Sequence, residues 1–263
     1  MGKQGKERAK ARREQRLQEI SRLRKLPYSS VDRSGPLRSP HARHPWWSSE
    51  TVAVVTGANR GIGYEIARQL AVHGLRVILT ARDADRGRAA ADGLRGEGLN
   101  LEFRQLDVSR ADSVELFAKW IAEKYGGLDV LRVDDMTLRE QLLKDDCLSE
   151  ELIDEMVGNF LCQVKEGTWA SNGWPQMYTD YSVSKLAVNL YTRLMARTLA
   201  DRPEGHKIYI NCYCPGWVKT AMTGWAGNAS AEEGADTGIW VALLPCQLLT
   251  TGKFFAERRE ISF

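Results

Sequence analysis

The feature that most constrains this chain is a glycine-rich turn between a run of β-branched residues and an amphipathic segment. Residues 52–56, Val-Ala-Val-Val-Thr, have the composition of a buried parallel strand. Gly57, Gly61 and Gly63 follow with the spacing Gly-x-x-x-Gly-x-Gly, and the apolar periodicity after them predicts a helix that stops at Gly74. Because such a turn exposes backbone N–H groups at the positive end of a helix dipole, the sequence predicts a pyrophosphate-binding site.

Strand and helix patterns alternate along the next part of the chain. Apolar runs predict strands at residues 75–80, 99–106 and 128–131, and amphipathic runs predict helices at 86–94 and up to residue 125. Alternation at intervals of about 25 residues is typical of a doubly wound parallel sheet. The predicted fold class is therefore α/β, with a Rossmann-like parallel sheet.

Two arginines predict which dinucleotide the turn binds. A site for NAD usually places a carboxylate at the end of the second strand, where it bonds the ribose 2′-hydroxyl. Here that strand ends at Ala81-Arg82, and Arg60 lies within the glycine turn. Two planar guanidinium groups favour a 2′-phosphate, so we predict NADP(H) as the cofactor. The alternative is that both arginines are ordinary surface charges.

Tyr181 and Lys185 form a candidate catalytic pair. They stand four residues apart on a predicted helix that runs to Leu199, so they share a helix face. A ketone that accepts a hydride develops negative charge on oxygen, and a phenol can protonate it if its pKa, ordinarily about 10, is lowered. The ammonium of Lys185 is expected to lower it. Alone, such a pair is usually a plain helix surface; after a dinucleotide-binding half, we predict that it is catalytic.

Four sets of residues together resemble the short-chain dehydrogenase/reductase family. They are Thr56-Gly57-x-x-x-Gly61-Ile-Gly63, Leu106-Asp107-Val108, Tyr181-Ser-Val-Ser-Lys185 and Pro215-Gly216-Trp-Val218-x-Thr220. The likeness runs from about Trp46 to the end. Four further short motifs resemble the plant carbonyl-reductase branch of this family, which contains neomenthol dehydrogenase and salutaridine reductase types. They are Trp46-Trp47-Ser, Gly167-Thr-Trp169, Gly173-Trp174-Pro175 and Thr251-Gly-Lys-Phe-Phe255.

The resemblance implies a function and a set of site residues. It implies NADPH-dependent reduction of a ketone or aldehyde on a small hydrophobic molecule, with the Pro215 turn cradling the nicotinamide and Thr220 contacting the phosphates. Tyr181 and Lys185 are the implied catalytic residues, and no metal is implied. The implied cofactor-binding residues are Gly57, Asn59, Arg60, Gly61, Ile62, Gly63, Arg82, Asp107, Val108, Tyr181, Lys185, Pro215, Gly216, Trp217, Val218 and Thr220.

The chain departs from the family pattern after Leu131. The family's Asn-Asn-Ala-Gly motif, the following helix with a structural Asn, and the strand that ends in the catalytic Ser have no counterpart, and the domain is incomplete between about residues 132 and 138. We attribute this to an internal deletion. A βαβ unit needs upwards of about 30 residues. The loss is expected either to leave a gap in the sheet or to force direct pairing of the remaining strands.

Loss of the serine is expected to impair activity. Removing one donor to a developing oxyanion typically costs about 100- to 1,000-fold in rate. Ser149, Ser171 and Thr137 are available hydroxyls, but their spacing favours none of them, and Ser182 and Ser184 lie on other helix faces than Tyr181. The alternative function is therefore a catalytically inactive NADP(H)-binding or unstable relative.

Residues 1–44 carry the basic character of the chain. They hold 13 Lys and Arg against 4 Asp and Glu, whereas the predicted domain, 45–263, is net acidic. A disordered extension is the preferred interpretation. An organelle-import peptide is an alternative because the segment is rich in Arg. A nucleic-acid-binding arm is disfavoured because no aromatic residues interleave the charges.

The remaining expectations concern compartment, membrane and assembly. Five cysteines without a C-x-x-C pair suggest reduced, buried thiols in a cytoplasmic protein, and Cys212-x-Cys214 fits two small core residues better than a metal site. No apolar run approaches the roughly 18 residues that span a bilayer, so no membrane partner is expected. An amphipathic helix that opens at Ser149 belongs to an insertion that covers the family's dimerisation helix, which predicts a monomer.

Overall fold

The fold was analysed in a computed structural model of the chain. It describes residues 45–132, 148–175, 178–203, 206–244 and 250–261, together with isolated positions between 15 and 25. The predicted role of residues 1–44, the interrupted segment from residue 133 onward with Thr137, and the predicted thiols Cys147 and Cys246 lie outside the described residues.

The first half of the domain alternates strand and helix as the sequence predicts. Four parallel strands lie in the order β3-β2-β1-β4, and β1 is buried along its whole length. Each of the first three strands is followed directly by a helix. The elements are β1 (Val52–Val55), α1 (Gly61–Val72), β2 (Arg76–Ala81), α2 (Ala84–Gly96), β3 (Leu101–Gln105), α3 (Ala111–Tyr125) and β4 (Val130–Arg132).

The second half contributes three helices and a small separate sheet. In that sheet β5 and β6 are parallel, and β6 and β7 are antiparallel. The antiparallel hairpin was not predicted, although its turn residues Glu257 and Arg258 both have positive φ, as a tight two-residue hairpin turn requires. The elements are α4 (Glu150–Glu166), α5 (Thr179–Thr198), β5 (Cys212–Cys214), α6 (Ala231–Ala242), β6 (Phe254–Ala256) and β7 (Arg259–Glu260).

The single doubly wound sheet is thus divided in two. Among the described residues, β4 pairs with β1 alone and β5 pairs with β6 alone, so the outcome is the predicted gap and not direct pairing. The sequence predicts a strand over residues 207–214, but the strand in the structure is only Cys212–Cys214. Before it, side chains replace part of the ladder: Ile210 N donates to Thr251 Oγ1, and Asn211 Nδ2 donates to the Thr250 carbonyl.

Two apolar layers cover the larger sheet. Val52 and Val54 face Phe117 and Ile121 of α3 on one side. On the other side α1 and α6 pack next to each other over Val55 and Leu79, in a layer that also contains Ile66, Leu70, Ala235 and Ile239. Since α6 follows β5 along the chain, its place on the first sheet holds the two sheets in one structure.

The predicted insertion helix forms a third cluster. Ser149 caps α4 by accepting a hydrogen bond from Leu152 N at 3.2 Å, as its position before an amphipathic run predicts. Ile153 of α4 and Leu186 and Leu190 of α5 pack together with Leu148. Helix α4 therefore covers one face of the helix that carries Tyr181 and Lys185.

The cysteines only partly match expectation. Cys212 is buried and Cys214 is partly buried, but Cys162 is exposed, because it lies on the outer face of α4.

Within the described part of the chain, no cluster of three or more His, Cys, Asp or Glu side chains could hold a metal ion. None of the described helices is long and apolar enough to cross a bilayer.

Candidate active site

The glycine turn leaves the start of helix α1 open to an anion. Gly57 and Gly61 have φ of 60° and 59°, in the region that favours glycine. Arg60, the residue before the helix, has an extended backbone and makes no capping bond with its side chain, and the first helical turn contains no acidic residue. The first N–H groups of α1 have no partner within the helix, so they are available to a phosphate group.

Gly63 allows the helix to pack closely on the turn. A methyl group at this position would lie 2.7 Å from the Gly57 carbonyl oxygen and 3.1 Å from the Ala58 Cα. Both contacts are with backbone, which cannot move aside as a flexible side chain could. This close packing fits the role of the last glycine of a dinucleotide-binding turn.

Arg82 and Asp107 meet where strands β2 and β3 end. Leu106 N donates to the Ala81 carbonyl at 3.0 Å, and Gln105 Nε2 donates to the Arg82 carbonyl at 2.8 Å. The hydroxyl and the amide of Ser109 bond Asp107 and hold the pKa of its carboxyl below the ordinary value, and the positive charge of Arg82 adds to this. Arg60, Arg82 and Val108 are exposed at this edge, within reach of a ligand.

The segment from Cys214 to Thr220 contacts both halves of the candidate site. At one end, a methyl group on Gly61 would lie 3.6 Å from Thr220 Cγ2, an ordinary van der Waals distance. Thr220 is held by a reciprocal capping arrangement with Thr223 at a short 3₁₀ turn. Val218 is buried, and a methyl group on Gly234 of α6 would lie 2.6 Å from it. Helix α6 thereby fixes Thr220 against the glycine turn.

At the other end of that segment lies the predicted catalytic pair. Lys185 Nζ is 4.8 Å from the centre of the Tyr181 ring, one helical turn away on α5. Burial lowers the pKa of the Lys185 ammonium. Burial also raises the pKa of the Tyr181 phenol, and the neighbouring Cys214 thiol, when ionised, raises it further. The pair is adjacent as predicted, and Cys214, directly before the Pro215 turn, acts on Tyr181 through its charge when ionised.

The direction of the Tyr181 pKa corrects one expectation. We predicted that Lys185 would lower it, but partial burial and the Cys214 thiol, when ionised, raise the pKa of Tyr181 in this structure. The Lys185 ammonium lies near the ring of Tyr181, where it stabilises the neutral ring as well as any charge on its oxygen. The Tyr181 phenol is consequently protonated at neutral pH.

Sequence reasoning overlooked two residues next to Tyr181. Cys214 was interpreted as a small core residue, yet it is only partly buried and accepts a hydrogen bond from Gly216 N at 3.3 Å. Its charge, when ionised, acts on Tyr181. Its position directly before Pro215-Gly216 was the signal that could have identified it. Tyr178, whose ring centre is 6.3 Å from that of Trp217, had no such signal because it is three residues outside the Tyr-x-x-x-Lys motif.

The comparison with protein families identifies the fold family. The family model described as short chain dehydrogenase matches residues 51–157 and 168–230, which include the glycine turn, Asp107, Tyr181, Lys185 and Thr220. The chain belongs to the short-chain dehydrogenase family. The match spans both ends of the candidate site of this short-chain dehydrogenase.

Curated relatives and solved structures agree with that assignment. Carbonyl reductase [NADPH] 1 of Bos taurus is 31% identical over 82% of this chain and 99% of its own, and the Mus musculus protein is 33% identical over 75% and 92%. Salutaridine reductase from Papaver somniferum superimposes with a TM-score of 0.69 at 28% identity, covering 78% of this chain and 99% of its own. Menthone neomenthol reductase from Mentha piperita, 24% identical over 80% and 99%, shares the fold with a TM-score of 0.65.

The alignment lengths show how many positions of a relative have no counterpart in this short-chain dehydrogenase. The bovine alignment runs over 277 positions and includes 82% of the 263 residues, which is about 216 residues. About 60 aligned positions of that relative therefore have no counterpart in this chain. That is more than a helix and a strand require, and it agrees with the division of the sheet after β4.

Proposed function

We propose that this chain is an NADPH-dependent carbonyl reductase in which Tyr181 donates the proton and Lys185 assists it. The chain is an NADP-dependent oxidoreductase of the short-chain dehydrogenase family, and its curated relatives include carbonyl reductases that use NADPH. The substrate class in this proposal is a ketone or aldehyde on a small hydrophobic molecule. Exposed Trp217, Met222 and Trp225 supply an apolar surface that suits it.

One observation carries the proposal more than any other. At one end of the segment from residue 214 to 220, Thr220 lies close to Gly61. At the other end, the charge of the Cys214 thiol, when ionised, acts on Tyr181 and raises its pKa. Because a dinucleotide joins its phosphates to its nicotinamide in one molecule, a single bound cofactor would reach from the glycine turn to the catalytic pair. Arg60 and Arg82 would hold a 2′-phosphate, and the first N–H groups of α1 would hold the pyrophosphate.

The residues then divide the chemistry of reduction. NADPH, when bound, supplies the hydride that adds to the carbonyl carbon. Tyr181, protonated at neutral pH, transfers the proton of its hydroxyl group to the carbonyl oxygen as negative charge develops there. Lys185 then stabilises the phenolate that remains, which returns to the phenol by taking a proton from solvent.

The proposal includes a reduced rate. Among the described residues, three hydroxyls considered as replacements for the family's serine bond backbone: Ser149 accepts from Leu152 N, Ser171 donates to the Thr168 carbonyl, and Ser184 donates to the Tyr181 carbonyl. In this proposal no second donor replaces that serine, and Tyr181 alone polarises the carbonyl. The expected cost is about 100- to 1,000-fold against an enzyme that has both donors.

The experiment measures NADPH oxidation at 340 nm with a panel of hydrophobic ketones and aldehydes. Turnover that disappears in Tyr181→Phe and falls in Lys185→Met, with NADPH affinity retained in Tyr181→Phe, is the expected result. Ser184→Ala is the matched control, because its hydroxyl bonds only the backbone of its own helix in this structure. Turnover that survives Tyr181→Phe would reject the proposed role of that residue.

A second candidate function is NADP(H) binding without catalysis. Two observations favour it, namely the divided sheet and the raised pKa of Tyr181. A thermal-shift titration distinguishes the two functions. A rise in Tm with NADPH, combined with no oxidation of NADPH by any carbonyl compound, would support the binding protein over the reductase.

A further inference from the structure

We propose that Tyr178 is a specificity-determining residue whose ring, together with Trp217, forms a wall for a flat ring attached to the substrate carbonyl. The inference rests on the proposed reductase function and adds to it the shape of the preferred substrate. It begins from an exposed aromatic side chain whose backbone is strained.

Tyr178 occupies a backbone conformation that an aromatic residue rarely adopts. Its φ is 52° and its ψ is 41°, the left-handed region in which a side chain other than that of Gly, Asn or Asp is uncommon. The residue precedes helix α5, and its side chain makes no capping hydrogen bond there. Strain of this kind persists where the surrounding structure imposes it, and it is concentrated at functional sites.

Burial does not explain Tyr178 either. Its side chain is 64% exposed, so the strained residue gains little from the hydrophobic effect. Four described residues other than glycine have positive φ, and two of them, Glu257 and Arg258, form the hairpin turn between β6 and β7. The other two are aromatic, Tyr178 and Trp225, and Trp225 follows Trp217 in the segment beside the candidate site.

The ring of Tyr178 is directed towards Trp217. The two ring centres are 6.3 Å apart and the planes are inclined by 42°. Trp217 is 48% exposed, and its indole N–H donates to the Ala226 carbonyl at 3.1 Å, which fixes the plane of the indole. The pair therefore presents a water-exposed aromatic surface of two rings, in which the plane of the Trp217 indole is fixed.

That surface lies at the reacting end of the site. Tyr178 is three residues before Tyr181, and its carbonyl accepts the Ser182 N–H at 2.8 Å in the first turn of α5. Trp217 follows the Pro215-Gly216 turn, and Cys214 before that turn is close enough to Tyr181 for its charge, when ionised, to act on the phenol. A carbonyl compound hydrogen-bonded to the Tyr181 hydroxyl would bring its attached ring next to the two aromatic rings.

A flat conjugated ring binds such a surface with a more favourable free energy than a puckered saturated ring does. Aromatic rings contribute an offset-stacked or edge-to-face interaction beyond the area that they bury, which corresponds to about a 3- to 10-fold preference. We therefore expect acetophenone to be preferred over cyclohexyl methyl ketone, which has the same carbonyl and a similar size.

The test compares kcat/KM for these two ketones in the full chain and in Tyr178 variants. Tyr178→Asn tolerates the left-handed backbone and removes the ring, so it separates the ring from the strain. It should reduce the acetophenone preference by about 3- to 10-fold, Tyr178→Leu should do the same, and Tyr178→Phe should keep it. Tyr191→Leu, at another exposed tyrosine of α5, is the control and should change nothing.

A binding measurement keeps the inference testable if no turnover is found. Calorimetric titration of both ketones into the NADP⁺-loaded protein should show the same preference and the same response to Tyr178→Asn. Absence of NADPH oxidation with both ketones would reject the reductase function. The ratio of the two binding constants would still test whether Tyr178 and Trp217 select a flat ring. A preference that is absent, or that survives in Tyr178→Asn, overturns the inference, as does failure of both ketones to bind.

Discussion

At the scale of single residues, the glycine turn is the part of the chain in which spacing and geometry agree most closely. Gly57 and Gly61 adopt positive φ, and Gly63 has no room for a side chain. These requirements come from the local backbone, because a strand must reverse into a helix within a few residues. They explain why this turn could be located from the glycine positions before any long-range contact was known.

Gly63→Ala should damage both the fold and the cofactor site. The methyl group would meet the Gly57 carbonyl oxygen at 2.7 Å, so the turn must shift. We expect a loss of about 1–3 kcal/mol in the free energy of unfolding by urea and about tenfold weaker NADPH binding, equivalent to about 1.4 kcal/mol. Gly93→Ala is the control in helix α2. There the nearest atom to the new methyl group is 3.7 Å away, and a gain of about 0.5–1 kcal/mol is expected. Equal stability of the two variants would contradict the packing argument.

The pKa of Tyr181 sets the pH dependence of reduction. In the proposed mechanism Tyr181 acts in its protonated form, and burial raises its pKa above the ordinary value of about 10. The proton is therefore present through the neutral range and is lost only as pH rises through the raised pKa. We expect kcat/KM for reduction to be level from pH 6 to about 10 and to fall above that value. A decline centred between pH 7 and 9 would show that Lys185 outweighs burial once the cofactor is bound.

At the scale of elements, α6 organises the site. It packs beside α1 on the larger sheet, its Gly234 receives Val218, and its C-terminal half meets the small sheet through Trp240 and Phe255, whose rings are 5.8 Å apart. The helix was not singled out by any motif. Its importance follows from where three other elements meet it.

The ion pair between Arg258 and Asp236 should be required for the attachment of the β6–β7 hairpin to α6. Both residues are buried, and the Arg258 guanidinium bonds both carboxylate oxygens of Asp236. Removing one partner leaves a buried charge uncompensated, so Arg258→Met or Asp236→Asn should destabilise the protein by about 3–5 kcal/mol in urea unfolding. Arg88→Ala breaks an exposed pair with Asp85 and should cost less than about 1 kcal/mol. A small effect at Arg258 would mean that the hairpin is held by its apolar contacts.

At the scale of the whole molecule, the division of the sheet is the main departure from the family pattern. The first sheet has three strand pairings and apolar layers on both faces, whereas the second has strands of two or three residues. The glycine turn follows strand β1 of the larger sheet, and the Pro215 turn follows strand β5 of the smaller sheet. The candidate site therefore depends on two sheets that share no hydrogen-bonded strand pair among the described residues.

Native-state hydrogen exchange should reveal this division. Amides of β1 and β2, buried and paired on both sides or covered by helices, are expected to exchange only on global unfolding. Amides of β5 and β6 should exchange faster, by local opening. NADPH should slow exchange at β5 more than at β2, because it would bridge the two sheets. Identical protection of both sheets without cofactor would contradict this expectation.

The sequence by itself determined the cofactor half, the positions of most elements and the adjacency of Tyr181 and Lys185. Each depends on local spacing: glycines at a turn, apolar residues at a strand or helix period, and two residues one helical turn apart. Only the tertiary structure decided that the sheet opens into a gap, that Tyr178 meets Trp217, and that burial and the charge of Cys214, when ionised, raise the pKa of Tyr181. These depend on burial and on contacts between segments far apart in the chain, which no local pattern records.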